Sequence, residues 1–413
     1  MADRSFAAID IGTTKVCTIV AEVTPHGELR ILGVGIGPSA GFTRGMVDNI
    51  PAAIEAIASS VERAERASGN RIYSAHVGIA GPHVSSMNSR GIVAVADPRH
   101  PVTEGDVQRA LEAARIINAP TNRDVVHVIP RFYVVDGQEH VVDPVGMFGS
   151  RLDVETHVVT AASAAIHNLV QCVEGAGVRV DSLVLEQLAA AEATVDAEEL
   201  RHGVVLCDIG GGTTDLSVYV NGAVAHTAVL PVGGVAMTRD LVVALRVPHP
   251  SAESAKREHG HAIPSMVDAE EAIEIDAFGA DGTKSVPRRR LAEGLQARAE
   301  GLFEMVNAEV RRGAEPELLS AGVVLTGGAA SLRGIELLAE DVIGLPARIG
   351  RPRHLAGLSD LLHDPAYATS VGLLRWSLRE QEIQFRSSSP ASAVPIGGLL
   401  RKVAHMIRVV LPQ

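Results

Sequence analysis

The sequence is poor in cysteine and in aromatic residues: three cysteines, seven phenylalanines, four tyrosines and one tryptophan in 413 residues. Aromatics at 3% leave Val, Leu, Ile and Ala to fill any core, and three scattered cysteines exclude a disulfide scaffold or a cysteine-spaced metal site. Cys17 and Cys207 lie in apolar strand-like runs and read as small core residues, and the sparse, odd count suits a reducing compartment. No apolar stretch approaches the ~18 residues that span a bilayer, and "MADRSFAAID" lacks the apolar centre of a signal peptide. The expectation is a cytoplasmic protein unless something tethers it. A basic excess is also absent. With 37 Lys and Arg against 49 Asp and Glu the formal charge is −12, which argues against a nucleic-acid partner and confines any basic function to a local patch. A chain this long exceeds one ordinary core, so two or more domains are expected.

What the sequence does contain is a repeated interruption. "FAAIDIGTTKVCTIV" opens the chain and "VVLCDIGGGTTDLSVYV" recurs about 200 residues later. In each, an apolar run ends in Asp-x-Gly, a Gly/Thr turn follows, and a second apolar run begins. That pattern predicts a tight β-hairpin whose backbone N–H groups gather around an anion. Glycine lets phosphate approach the main chain, and the threonines add donors. Asp10 and Asp208 cannot neutralise phosphate, so their expected work is to hold hydrated Mg2+. "DIGGGTTD" lacks the Gly-Lys-Ser/Thr ending of a Walker A loop, and it leads into a strand rather than the helix of a dinucleotide fingerprint. A third junction, "VVLTGGAASLRG", suits packing against an adenosine, and "PSAESAKREHG" sets Glu253 and Lys256 one helical turn apart, where they can hold ribose hydroxyls or simply face solvent.

The organisation follows from periodicity. Before residue 82 strands alternate with the helix "NIPAAIEAIASSVERAERASG", for which Gly69 is the expected stop. Residues 83–161 form a separate module with a capping-box start at Thr103 and Asp106 and three Val-rich strands. From 162 to 200 the pattern reads as helical, and 251–318 as helical and charged around the loop "FGADGTKSVPRRR". The expected division is therefore 1–82 with 162–200, the insert 83–161, 201–250 with 319–383, a peripheral unit 251–318, a linker 384–395 of Ser/Pro-rich composition, and a terminal segment 396–413.

That segment is amphipathic. Ile396, Leu399, Leu400, Val403, Ile407, Val410 and Leu411 fall within roughly 120° at ~100° per residue, with Arg401, Lys402, His405 and Arg408 opposite and Val409 breaking the polar face. After Glu382 every formal charge is positive. Two readings stand: a helix packed on its own domain, or one that lies on anionic lipid at the end of a linker.

With both hairpins, the Gly-Gly turn and the Glu/Lys helix in this order, the chain resembles the actin, heat-shock-chaperone and sugar-kinase superfamily. Within it the sequence is similar to the FtsA family of bacterial actin-like cell-division proteins, nearly end to end. The insert "HVIPRFYVVDGQEHVVDPVGMFGSRLDVETHVVT", "VVLTGGAASLRGIELLAEDVIGLPARIGRP" and "DPAYATSVGLL" carry the family-specific part. The resemblance implies an α/β actin-like fold of two duplicated ribonuclease-H-like domains with a cleft, an inserted subdomain and the terminal amphipathic helix. Asp10, Gly12, Thr13, Thr14 and Lys15 match the first phosphate loop, and Asp208, Gly210, Gly211, Gly212, Thr213 and Thr214 the second. Gly327, Gly328 and Ala329 match the adenosine turn, and Glu253 and Lys256 the ribose helix.

Glu186 matches a position that orients attacking water in related ATPases, and also reads as a helix N-terminal carboxylate stabilised by the dipole. The implied function is binding of ATP with Mg2+, at most slow hydrolysis, and polymerisation on the cytoplasmic side of the cell membrane at the septum. The implied partners are the C-terminal tail of FtsZ, further copies of the chain, anionic lipids and later division proteins. Arg288, Arg289 and Arg290 fall where the family receives the FtsZ tail, and read equally as solvated surface. The alternatives are a small-molecule kinase or polyphosphate phosphohydrolase of the same fold, or an adaptor like PilM or a filament like MreB.

Overall fold

The computed structural model describes residues 5–24, 28–95, 99–116, 121–279, 282–358 and 360–387. The chain opens as an antiparallel meander of β1 (Ser5–Ile11), β2 (Lys15–Val23) and β3 (Leu29–Pro38). β1 and β2 are buried on both faces, which is why they read as continuous apolar runs, whereas β3 alternates. The small hairpin of β4 (Phe42–Thr43) and β5 (Met46–Val47) leads to α1 (Ile50–Ser68). Asn49 caps α1 by accepting from the Ala52 N–H at 3.1 Å, and Gly69 ends it at a φ of 71°, as expected. β6 (Ser74–Ile79) then lies parallel to β1.

The insert follows as β7 (Val84–Ala94), α2 (Glu104–Arg115), β8 (Arg123–Val135), β9 (Gln138–Val141) and β10 (Arg151–Ala162). Its sheet runs β7-β10-β8-β9, and Val102, Leu111, Tyr133 and Leu152 belong to a core of its own. The expected capping box is present: the Thr103 hydroxyl accepts from the Asp106 N–H, and the Asp106 carboxylate from the Thr103 N–H. The return path is α3 (Ser163–Gly175), β11 (Arg179–Leu185), α4 (Glu186–Thr194) and α5 (Ala197–His202). The helical reading of 162–200 holds for these three helices and fails between the first two. "RVDSLVL" is a strand parallel to β6, a run too short for its apolar residues to separate one period from the other.

The second half repeats the first. β12 (Val204–Ile209), β13 (Thr214–Val220) and β14 (Ala223–Leu230) form a second meander. Then come α6 (Gly234–Leu245), α7 (His249–His259), the hairpin β15 (Ala272–Asp276) and β16 (Thr283–Pro287), α8 (Arg288–Gly313), β17 (Val323–Thr326), α9 (Ile335–Ile343) and β18 (Ala347–Ile349). The order β14-β13-β12-β17-β18 matches β3-β2-β1-β6-β11, so the duplication read from the two Asp-x-Gly turns extends to whole sheets.

Four boundaries differ from the expectation. The stretch taken as a loop before "RRR" contains β16, and the arginines form the first turn of α8. α8 is not peripheral either, because Leu291, Leu302 and Phe303 join the same core as Leu216 and Leu325 of the second sheet. Residues 319–383 do not all stay with the second half: β17, α9 and β18 do, but β19 (Leu355–Gly357) pairs with β3 and α10 (Ala368–Ser387) packs against α4 and β1. α10 also continues through 384–387, the start of the expected linker. The resulting central core takes Leu188 and Ala189 from α4, Leu373 and Trp376 from α10, and Leu206 and Val324 from the second sheet.

The insert also reaches the second half. Thr227 on β14 meets His157 Nε2 at 2.9 Å, His157 Nδ1 meets Asn88 Oδ1 at 2.8 Å, and Asn88 Nδ2 donates to the Ala225 carbonyl at 3.3 Å. Burial pushes His157 down to about 3, so the ring is neutral in this chain of hydrogen bonds. Cys17, Cys172 and Cys207 are all free and buried, and burial pushes the Cys17 thiol up to about 12. Among the described residues no helix is long and apolar enough to cross a membrane.

Candidate nucleotide and metal site

Two turns of the same construction face one another. Between β1 and β2 the Gly12 N–H donates to the Lys15 carbonyl at 3.0 Å, and between β12 and β13 the Gly210 N–H donates to the Thr213 carbonyl at 3.0 Å. The turns touch: a Cβ on Gly211 would lie 2.6 Å from Thr14 Cγ2, and one on Gly212 2.5 Å from Thr13 Oγ1. The carbonyls of Gly210 and Gly211 accept from the N–H groups of Gly234 and Val235 at the start of α6, each at 2.9 Å. A trans peptide then turns the N–H groups of Gly211 and Gly212 the opposite way, as an anion cradle requires.

Asp10 and Asp208 hold equivalent places near the ends of β1 and β12, and both are buried. Ser370 Oγ donates to Asp10 Oδ2 at 2.6 Å, and Thr369 Oγ1 to Asp208 Oδ2 at 2.8 Å. Lys15 Nζ donates to the Ala366 carbonyl at 2.7 Å and sits 3.4 Å from the centroid of the Tyr367 ring. Asp215 pairs with Asp208 across the β12–β13 ladder, and Glu186 opens α4. Asp10, Asp208, Asp215 and Glu186 therefore lie within electrostatic reach of one another, with Lys15 near Asp10 and Asp208.

Their electrostatics show mutual strain. Burial pushes Asp208 up to about 6 against the opposing Thr369 hydrogen bond. Burial, then the Asp208 charge, pushes Asp215 up to about 8. Asp10 is raised by burial, with Ser370 and Lys15 opposing, and burial lowers Lys15. Glu186 is pushed well up by burial and then by Asp10, Asp215 and Asp208. A helix N-terminus alone would lower it, so burial among aspartates outweighs the dipole of α4.

Such a group suits a hard cation. Asp215 Oδ1 is buried with no hydrogen-bond partner among the described residues, and carboxylate oxygens fit Mg2+. Among those residues no three acidic, histidine or cysteine side chains converge to ligate an ion directly.

At the Gly-Gly turn after β17, Gly327 stands at a φ of 85°, and a Cβ there would lie 2.2 Å from Asp208 Oδ1. α7 brings Glu253 and Lys256 to the same region as a 2.7 Å ion pair, with Lys256 donating to the Gly234 carbonyl at 3.0 Å. A Cβ on Gly234 would sit 3.3 Å from that of Ala329, so the α7 pair, the start of α6 and the turn Gly327–Gly328–Ala329 meet. Glu253 also accepts from the Thr238 hydroxyl.

The arginines stand elsewhere. Arg288 is committed to Glu271 at 2.6 Å and to the His259 carbonyl at 2.8 Å, which leaves Arg289 and Arg290 as the exposed members. The amphipathic residues Ile396 to Leu411 lie outside the described residues. Three contributors went unread in the sequence. Asp215 was visible as the closing residue of "DIGGGTTD", where period-2 pairing opposes it to Asp208. Thr369 and Ser370 lie within "DPAYATSVGLL", 360 residues from Asp10, with no local signal of contact.

The raised carboxylates predict a pH dependence. Each holds its proton more tightly folded than unfolded, so its stabilising contribution is complete below the ordinary carboxylate range and is lost as pH rises through the folded value. For Asp215 that loss runs from the ordinary carboxylate range up to about 8, so without nucleotide the melting temperature is expected to fall between about pH 5 and 8 and to level off above that. Asp215→Asn should remove this part of the fall; scanning calorimetry of both proteins across that window is the check.

Comparison with known proteins agrees with the geometry. The family described as "Cell division protein FtsA" matches residues 205–372, and the "SHS2 domain inserted in FTSA" matches residues 81–160. Cell division protein FtsA of Pseudomonas aeruginosa is 39% identical over 98% of this chain and 98% of its own length. The Escherichia coli K12 protein is 35% identical over 89% of each chain. Among solved structures, the PilM-PilN type IV pilus biogenesis complex aligns with a TM-score of 0.64 at 17% identity, covering 91% of this chain and 98% of the other. MreB 5 of Spiroplasma citri bound to AMPPNP aligns at 0.57 and 16%, covering 93% and 99%. These two establish the actin-like fold alone. Identity sustained along the whole length, together with the inserted domain, places the chain in the FtsA family of cell division proteins.

Proposed function

We propose that the chain binds ATP with Mg2+ between its two halves and, so loaded, polymerises on the cytoplasmic side of the cell membrane at the septum. There it holds the FtsZ ring and receives later division proteins. The observation that carries the reading is the pair of facing hairpins, each ending a strand with a buried aspartate, in a chain of this family. A structural neighbour, MreB 5, is described with AMPPNP in the same fold. Phosphates would rest on Gly12–Thr14 and Gly210–Thr213 with Lys15, the metal water shell on Asp10 and Asp208, and the adenosine against Gly327–Ala329 and the Glu253–Lys256 pair. Glu186 would orient water, with hydrolysis at most slow.

Attachment would come from Ile396, Leu399, Leu400, Val403, Ile407, Val410 and Leu411 facing lipid, with Arg401, Lys402 and Arg408 toward anionic headgroups. Each basic residue contributes ~1 kcal/mol near such a surface, so one tail binds weakly and many tails along a filament bind firmly. Arg289 and Arg290, the latter also donating to the Ala244 carbonyl at 3.4 Å, are the exposed cations to meet an acidic FtsZ tail, Arg288 being held by Glu271.

Co-sedimentation with anionic vesicles tests this, using the full chain and a version ending at Pro395, with and without Mg2+ and ATP. The full chain is expected to pellet, more so with ATP, and the shortened one to remain in solution. If both stay in solution under every condition, the tail is no anchor. Turnover of sugars or polyphosphate would then favour the kinase or phosphohydrolase reading.

A further inference from the structure

The first turn of α10 meets both halves of the cleft at once. The helix packs on α4 and β1 of the first half, yet its two hydroxyls diverge. Ser370 donates at 2.6 Å to Asp10 on β1, and Thr369 at 2.8 Å to Asp208 on β12. Successive helical residues point about 100° apart, which lets sequence neighbours reach carboxylates on two different sheets.

Serines and threonines in helices commonly return their hydroxyl to the carbonyl four residues earlier. This chain does so elsewhere: Thr194 donates to the Ala190 carbonyl at 2.7 Å. For Thr369 and Ser370 the corresponding acceptors are Pro365 and Ala366, and both are already taken by the site. The Pro365 carbonyl accepts from the Gly327 N–H and the Thr326 hydroxyl, each at 3.1 Å, and the Ala366 carbonyl accepts from Lys15. The two hydroxyls donate to the aspartates instead, and both residues are buried.

We propose that Thr369 and Ser370 are positioning residues: by holding Oδ2 of each aspartate they fix the rotation of both carboxylates, and the spacing of the strand ends that carry them, for the Mg2+-bearing nucleotide. The inference rests on the nucleotide reading above and adds that one helical turn, rather than the two hairpins alone, sets the site's geometry. It also makes α10, which runs roughly 30 Å toward the linker, a direct continuation of the site.

The test is ATP binding by titration calorimetry on the full chain, once with Mg2+ and once with EDTA. Thr369→Val and Ser370→Ala each delete a donor at nearly constant volume, while Thr369→Ser and Ser370→Thr retain it. Each deletion is expected to weaken Mg2+–ATP binding about tenfold, to leave binding in EDTA within about twofold, and to be rescued by its hydroxyl-retaining counterpart. Equal loss with and without Mg2+, or loss in all four variants, shows a merely structural role and overturns the proposal. Wild-type affinity in both deletions overturns it also. A wild-type chain that binds no ATP in either condition overturns the nucleotide reading itself, and this proposal with it. Should a deletion variant fail to fold, the hydroxyl-retaining pair still decides: loss of Mg2+-dependent binding there contradicts the proposal.

Discussion

Gly372→Ala is expected to lower the melting temperature by roughly 5 °C or more and to weaken nucleotide binding, although the residue touches no nucleotide. Gly372 is where α10 crosses α4, and a Cβ there would lie 1.7 Å from the Ala189 carbonyl oxygen and 2.3 Å from its carbon. Both are backbone atoms inside a helix, so no rotamer change relieves the clash and the helices must part. Overpacking of this kind costs about 1–3 kcal/mol or more, and each kcal/mol moves Tm by about 2–4 °C in domains of 150–250 residues. The displacement is transmitted because Glu186 stands one turn before Ala189, and Thr369 and Ser370 one turn before Gly372. Gly301 supplies the contrast. It lies within α8, a Cβ there meets nothing within 4 Å, and Gly301→Ala should raise stability by about 0.5–1 kcal/mol through helix propensity alone. Calorimetric scans of the two variants should therefore move in opposite directions; a Gly372→Ala protein as stable as wild type would refute the close crossing.

Gly327→Ala carries the second large effect, on binding. The new methyl would lie 2.2 Å from Asp208 Oδ1 and 2.6 Å from the Ile209 carbonyl oxygen, at a φ of 85° that side chains seldom adopt. The carboxylate can turn aside only by abandoning Thr369, while the Ile209 carbonyl cannot turn aside at all. Affinity for Mg2+–ATP is expected to fall about a hundredfold, an effect of about 2.7 kcal/mol, with folding weakened by about 1–3 kcal/mol. Titration at a temperature well below the melting transition separates the two. Binding within twofold of wild type would show that Asp208 does not need its present orientation.

The parts of the molecule legible in the sequence were those written locally. A Gly/Thr turn between two apolar runs specifies a hairpin from its own residues, Asn49 and Gly69 bound α1, and Thr103 with Asp106 starts α2. The recurrence of one such unit carried the reading from local structure to a duplicated fold. What stayed hidden depends on contacts distant in sequence. β11 is seven residues whose apolar spacing fits either period, and only the neighbouring β6 makes it a strand. Arg288 looks like one of three equal cations until Glu271 is seen to hold it. Asp215 sits in plain view, but its shift arises from burial and then from Asp208, neither of which a linear pattern shows. The path of the chain after β18 is invisible for the same reason, since three residues of β19 and the face of α10 choose the first half only by what they meet there.

The burial of Cys17, Cys172 and Cys207 bears on how this protein can be watched. Thiolate is the species that attacks maleimides and iodoacetamides, and all three thiols are both shielded and shifted away from ionisation. A cysteine introduced at an exposed position such as Arg289 would then be the one thiol open to a dye, with no native cysteine removed first. A fluorophore placed there would test the proposed arrival of an acidic peptide, and a pair of differently coloured copies would test the proposed filament assembly by energy transfer, in a chain otherwise left as it is.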